Sequence, residues 1–157
     1  MKEKMSIIFF SGTLDKALAM LFLATTAASM GIEVNVFFTF WGLSFVKKGR
    51  SFKKKNILQK AFELLLPPKK DKLPLTMFNM LGLGPKFMEI LMTQTKTPKI
   101  EDLFSLAKQL GVNFYACSTT CSFMGLAKEN LIDEVKDIVG AAYFLNQAKD
   151  SKINLFI

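Results

Sequence analysis

The chain of 157 residues contains no histidine. That absence excludes every mechanism that needs an imidazole: Ser-His-Asp and Cys-His hydrolysis, histidine-ligated zinc and histidine proton relays. Cysteine is scarce, with Cys117 and Cys121 alone. Two thiols read as catalytic, redox-active or inert rather than as a structural staple. Internal repeats and low-complexity tracts are also lacking. Charge is nearly absent from Ala17 to Val46, where Glu33 stands alone. That run invites a membrane reading, but Ser29-Met30-Gly31 breaks it, and Glu33 and Asn35 alternate with Val34 and Val36. The uncharged piece before the break falls short of the roughly 20 residues a spanning helix needs. It reads as a buried helix followed by a buried strand, which leaves peripheral membrane contact open and disfavours a span.

What is present is apolar bulk, 50% of the chain, with sixteen phenylalanines and a net charge of +8. The length suits one domain over residues 1–157, able to bury about two-thirds of its unfolded surface. The amino terminus leads into strand-like Ile7–Phe10, an apolar run too short for a signal peptide. The expected compartment is the reducing cytoplasm. The charge is localised: residues 47–72 hold ten basic and two acidic side chains, and the remainder, eleven of each, is neutral. This segment reads either as a solvated loop or as a landing site for an acidic partner, an oxyanion or anionic headgroups. Nucleic acid is the weakest reading, because aromatics for stacking are sparse there.

The pattern along the chain is that of an α/β protein. Ile7–Phe10 reads as a central parallel strand. Thr13 is placed to N-cap a helix from Leu14 to about Met30, and Glu33–Phe40 reads as the next strand. Residues 47–97 read as a basic, methionine-rich helical insertion between the second and third strands. It holds a helix over Asn56–Leu66 and two short helices around Gly82-Leu83-Gly84-Pro85. Methionines 77, 80, 88 and 92 suit helix packing or a subunit interface better than copper, and no metal is expected. Thr97 and Pro98 read as N-cap and first residue of a helix that Gly111 ends. Val112–Cys117 is the third strand, followed by a short helix over Thr119–Lys128. A fourth short strand falls within Leu131–Val139, a helix over Gly140–Lys149, and a last strand at Ile153–Ile157. The expected architecture is a three-layer α/β/α sandwich on a mainly parallel sheet of about five strands.

The stretch Ala116–Gly125 holds both cysteines. Cys117 stands at the carboxyl end of a strand and before a helix, where open α/β sheets place their chemistry and N–H groups favour an anion. The bland reading is a small buried hydrophobe. Cys121, four residues on, would share a helical face with Cys117 and resolve it as a disulfide, or else simply pack. Ser11, Gly12 and Thr13 follow the first strand at the same sheet edge and are expected to line the pocket. Trp41, Ser118 and Thr119 complete the expected wall, although Trp41 reads first as core or interface.

Several segments together resemble a known family: Phe10-Ser11-Gly12-Thr13-Leu14-Asp15-Lys16-Ala17, Phe37-Phe38-Thr39-Phe40-Trp41-Gly42-Leu43, Leu83-Gly84-Pro85-Lys86-Phe87-Met88, Ala116-Cys117 with Met124-Gly125, and Asn154-Leu155-Phe156-Ile157. Their order and spread resemble the DsrE/DsrF-like sulfur-carrier family, in its peroxiredoxin-like branch. The family's signature cysteine falls on Cys117, in a pattern resembling Ala-Cys-x-Met-Ser-Met-x-x-Met-Gly. Here Thr119 and Cys121 replace the two middle methionines, and Thr120 replaces the serine. The resemblance implies a sulfur carrier or sulfurtransferase holding sulfane sulfur as a persulfide on Cys117, without a cofactor. It also implies a homo-oligomer working with TusA-like or rhodanese-like partners. Two other readings stand beside it: a thiol redox protein using the Cys117/Cys121 pair, and a non-enzymatic protein docking on membranes or partners.

Overall fold

A computed structural model describes residues 3–77 and 79–157. Five strands form its sheet: β1 (Lys4–Phe9), β2 (Glu33–Phe38), β3 (Asn113–Cys117), β4 (Val135–Val139) and β5 (Ile153–Phe156). All pair in parallel, in the order β4-β3-β2-β1-β5. The helices are α1 (Leu14–Ser29), α2 (Ile57–Leu65), α3 (Leu83–Gln94), α4 (Ile100–Gln109), α5 (Ser118–Met124) and α6 (Ala141–Ala148).

The strand order explains the layers. From β1 the chain steps in one direction through β2, β3 and β4, so right-handed crossovers place α1, α4 and α5 on one face. It then returns across the sheet to β5, and the reversed step places α6 on the other. The first face is dry. Met5, Ile7, Phe9, Val34, Val36, Phe38, Phe114 and Ala116 alternate onto it and are buried with Leu18, Leu21, Phe45 and Phe104. The ring of Phe38 stacks on Phe45 at 5.5 Å and meets Phe9 edge-on at 5.7 Å. Each such ring or branched side chain contributes about 1.5–3 kcal/mol on burial. The second face is covered by the eight residues of α6, whose Phe144 stacks on Phe37 at 4.8 Å. The sandwich therefore has one thick and one thin outer layer.

Glycine fixes the loops that leave β1 and β2. A Cβ on Gly42 would lie 2.1 Å from the Phe9 carbonyl oxygen, and one on Gly12 2.8 Å from that of Trp41. The Gly42 N–H reaches the Phe10 carbonyl at 2.9 Å. The two loops thus interlock backbone to backbone, which no larger residue permits.

Residues 47–97 do lie between β2 and β3, but several local expectations are corrected. Lys47 and Lys55, expected on a solvated loop, are buried against Glu63 of α2, with Nζ to carboxylate distances of 2.5 and 2.9 Å. Burial opposes the charge on Glu63, yet the two ammonium groups outweigh it and hold the carboxyl below its usual range. Burial also pulls the Lys47 ammonium below its ordinary value. In consequence α2 is turned inside out. Its one fully buried side chain is Glu63, while Ile57, Leu58 and Leu65 are each more than four-fifths exposed. Lys48, Lys69 and Lys70 pair with Asp133, Asp71 and Glu101.

The two helices expected around the Gly-Pro turn are one helix, α3, preceded by a turn at Met80–Gly82 in which Leu81 and Gly82 take left-handed conformations. Pro85 sits in the first turn of α3, where its missing N–H has no partner to lose. Met88 and Met92 pack on the core, whereas Met77 and Met80 are exposed. Helix α4 starts at Ile100 rather than Pro98, because Lys99 takes the N-cap position and its N–H is bonded by Asp102 at 3.1 Å. Thr13 does precede α1, but its hydroxyl bonds Thr76 at 3.0 Å instead of capping the helix. Asp15 accepts from the Thr76 N–H and hydroxyl at 3.1 and 3.0 Å, so this end of α1 clasps the insertion. Among the described residues no helix is long and apolar enough to cross a membrane.

Candidate functional site

Cys117 is the last residue of β3 and directly precedes α5, with an extended backbone. Period-two alternation turns residues 115 and 117 away from the dry face. Cys117 accordingly packs with Phe37, Val139 and Phe144 on the thin side of the sheet and is 6% exposed. Burial, the largest single influence on its thiol, favours the neutral form. The Thr120 N–H and hydroxyl, the Thr39 hydroxyl and the Thr119 N–H together outweigh it, and they hold the thiol below its ordinary value. A thiolate is the nucleophile in sulfur chemistry, so these donors favour a reactive sulfur.

Cys121 has a different environment. It belongs to the main core on the dry face, 2% exposed, and burial followed by repulsion from Cys117 pushes its thiol up to about 12. Spacing alone placed the two cysteines on one helical face. In the fold, Cys117 precedes the helix in extended backbone, so the two side chains enter separate apolar clusters. Both are free thiols.

Two residues absent from the expected wall form its centre. The Thr39 and Thr120 hydroxyls meet at 3.0 Å, both buried, joining the end of β2 to the first turns of α5. The Phe40 N–H donates to the Thr120 hydroxyl at 3.4 Å. Phe40 reaches that position with a φ of 46°, a left-handed conformation that a bulky side chain rarely adopts. The legible signal for Thr39 was a hydroxyl at the carboxyl end of a strand, within a motif read for its aromatics. For Thr120 it was the retained hydroxyl where the family pattern has serine.

The remaining expected residues are distributed around this centre. Thr119 is exposed and Ser118 half-buried, both in the first turn of α5. Trp41 is partly exposed, its ring 5.6 Å from Phe62, which meets Phe123 of α5 at 5.5 Å. Ser11, Gly12 and Thr13 follow β1, and β2 lies between β1 and the cysteine strand. Their groups are engaged locally: Ser11 accepts from Lys16 at 3.2 Å, Gly12 abuts Trp41, and Thr13 holds Thr76. Among the described residues, no cluster of three or more acidic or cysteine side chains is arranged to hold a metal.

The chain matches known proteins over its whole length. A family model described as the DsrE/DsrF/DrsH-like family covers residues 1–156. The uncharacterized protein YrkE of Bacillus subtilis is 35% identical over 156 residues, spanning 99% of this chain and 97% of that one. The sulfur carrier protein DsrE2 of Allochromatium vinosum is 34% identical over 160 residues, spanning 99% of each. Among solved structures, the ychN protein of E. coli superposes with a TM-score of 0.57 at 11% identity, covering the whole of both chains. A protein of unknown function from Methanobacterium thermoautotrophicum gives 0.55 at 12% identity, over 99% of this chain and all of that one. These two likenesses are of fold.

Proposed function

The chain belongs to the DsrE/DsrF/DrsH-like family, and from that premise we propose that it is a sulfur carrier, holding sulfane sulfur as a persulfide on Cys117. The observation that carries this reading is the contrast between the two thiols. Cys117 meets hydrogen-bond donors that favour its thiolate, while Cys121 lies in the apolar core with its thiol pushed up to about 12. In loading, the Cys117 thiolate attacks the outer sulfur of a donor persulfide, R–S–S⁻. The new Sγ–S bond forms as the donor S–S bond breaks, and R–S⁻ leaves. Delivery is the reverse exchange onto a partner thiolate. No electrons are gained or lost, and neither a cofactor nor a histidine is needed. A TusA-like or rhodanese-like protein is the kind of partner this exchange serves, and a cytoplasmic homo-oligomer the expected form.

The test is intact-mass measurement after incubation with polysulfide or thiosulfate. One or more added sulfur atoms are expected on the wild type and none on Cys117→Ser. No adduct with either donor, or one unaffected by the substitution, overturns the reading.

A further inference from the structure

The two buried threonine hydroxyls beside Cys117 have more hydrogen atoms than their mutual contact consumes. At 3.0 Å one hydroxyl donates to the other, which uses one of two O–H hydrogens. The Phe40 N–H arrives as a further donor at 3.4 Å and occupies a lone pair on Thr120. Neither hydroxyl is open to solvent: Thr39 and Thr120 are both buried. One O–H hydrogen therefore remains, and Cys117 is the thiol beside it. Phe38 pairs with Ala116, so Thr39 lies level with Cys117 on the neighbouring strand, and Thr120 is the third residue of the helix that Cys117 precedes. Whichever way the pair is oriented, it presents a single donor, because reversing the mutual bond moves the spare hydrogen from one oxygen to the other.

From this count we infer that Thr39 and Thr120 are positioning residues whose shared spare hydrogen follows the negative charge, first on Cys117 Sγ and then on the terminal sulfur it accepts. The inference rests on the carrier reading above and deepens it. When Sγ forms its bond to the incoming sulfur, the charge leaves Sγ and appears one bond further out, on Cys117–S–S⁻. A fixed N–H donor in α5 cannot move with it. A pair of hydroxyls can, by rotating two C–O bonds and breaking no covalent one. Hydrogen bonds to charged acceptors are about twice as strong as neutral ones, so the gain is realised in both states. The left-handed Phe40 supports the arrangement, since its N–H holds the Thr120 oxygen in place. Because Thr39 is on β2 and Thr120 on α5, the pair also fixes the gap between the two elements that flank the sulfur.

The experiment compares Thr39→Val and Thr120→Val, which remove each hydroxyl at nearly constant volume, with Thr39→Ser and Thr120→Ser, which retain it. Thiolate ultraviolet absorbance is titrated against pH with Cys117→Ser as the blank, and alkylation by iodoacetamide is timed at neutral pH. The valine variants are expected to titrate at higher pH and to be alkylated about tenfold more slowly, a factor equal to one pH unit of thiolate population. The serine variants are expected to stay near wild type, which a purely packing role does not predict. Circular dichroism melts establish that each variant is folded. An unchanged titration and alkylation rate in folded valine variants overturns the inference, even while wild type still loads sulfur. If instead the titration moves but wild type accepts no sulfur from polysulfide, the carrier reading fails, the step onto a terminal sulfur is overturned with it, and the hydroxyl pair's bond to the Cys117 thiolate alone stands.

Discussion

At the scale of single residues, the protein assigns opposite environments to two identical side chains four positions apart. Cys117 sits at a strand end among N–H and O–H donors, and Cys121 sits in hydrocarbon. A thiol that burial pushes up to about 12 is protonated throughout the neutral range and is a poor nucleophile. Cys121→Ala is therefore expected to keep sulfur loading intact while lowering stability by about 1 kcal/mol for the lost core atom. Mass measurement after polysulfide treatment and urea denaturation check the two halves. Loss of loading in a folded Cys121→Ala protein returns the Cys117/Cys121 redox pair to consideration. The sequence made the position of Cys117 readable through its strand–helix junction. It did not reveal Thr39, because a hydroxyl becomes a partner only when a strand neighbour is known. β2 borders β3, whereas β1, whose loop residues Ser11–Thr13 were the expected lining, lies one strand further away.

At the scale of elements, α2 carries the largest departure from pattern reading. Its Leu- and Ile-rich stripe suggests a face turned to the core, yet the side chain that anchors it is Glu63. The cause is the pair of lysines: Lys47 beside the core and Lys55 before α2 place two buried charges that only a carboxylate offsets. A charge run is ordinarily solvated, and no periodicity marks the two members that are not. Breaking a buried ion pair by removing one partner costs about 3–5 kcal/mol, because the opposite charge is left uncompensated. Glu63→Gln is expected to lower stability by that amount in chemical denaturation, and a loss below 1 kcal/mol contradicts the assignment. The pH dependence follows. The Glu63 carboxyl is held below its ordinary value of 4.5, so its contribution is fully present above that pH and is lost as pH falls through the folded-state value. Wild type should weaken on acidification below this range, and the glutamine variant, already lacking the contribution, should weaken less.

At the scale of the whole molecule, the fully apolar run Ile7–Phe10 and the Val- and Phe-rich stretch Glu33–Phe40 were enough to read a parallel sheet, and the helix stops at Gly31 and Gly111 were enough to read its crossovers. The thickness of each outer layer was not readable. It depends on the direction of the last step across the sheet, from β4 to β5, which no local signal encodes. That step also has a meaning in time. β1 and β2 are joined through α1 alone, while β5 reaches β1 from the far side of the chain, where Ser6 and Ser151 bond across 145 positions. β5 has four residues and one neighbour, and most of its side chains are exposed. Strands of this kind are the first to open and the last to dock. In hydrogen exchange the β5 amides should lose protection well before those of β2 and β3, and equal protection would refute this order of assembly. Thr39, Thr120 and Cys117 lie at the β2–β3 boundary, away from that edge. The corner that holds Cys117 is thus expected to be complete while the sheet is still unfinished, and to survive transient departures of its last strand.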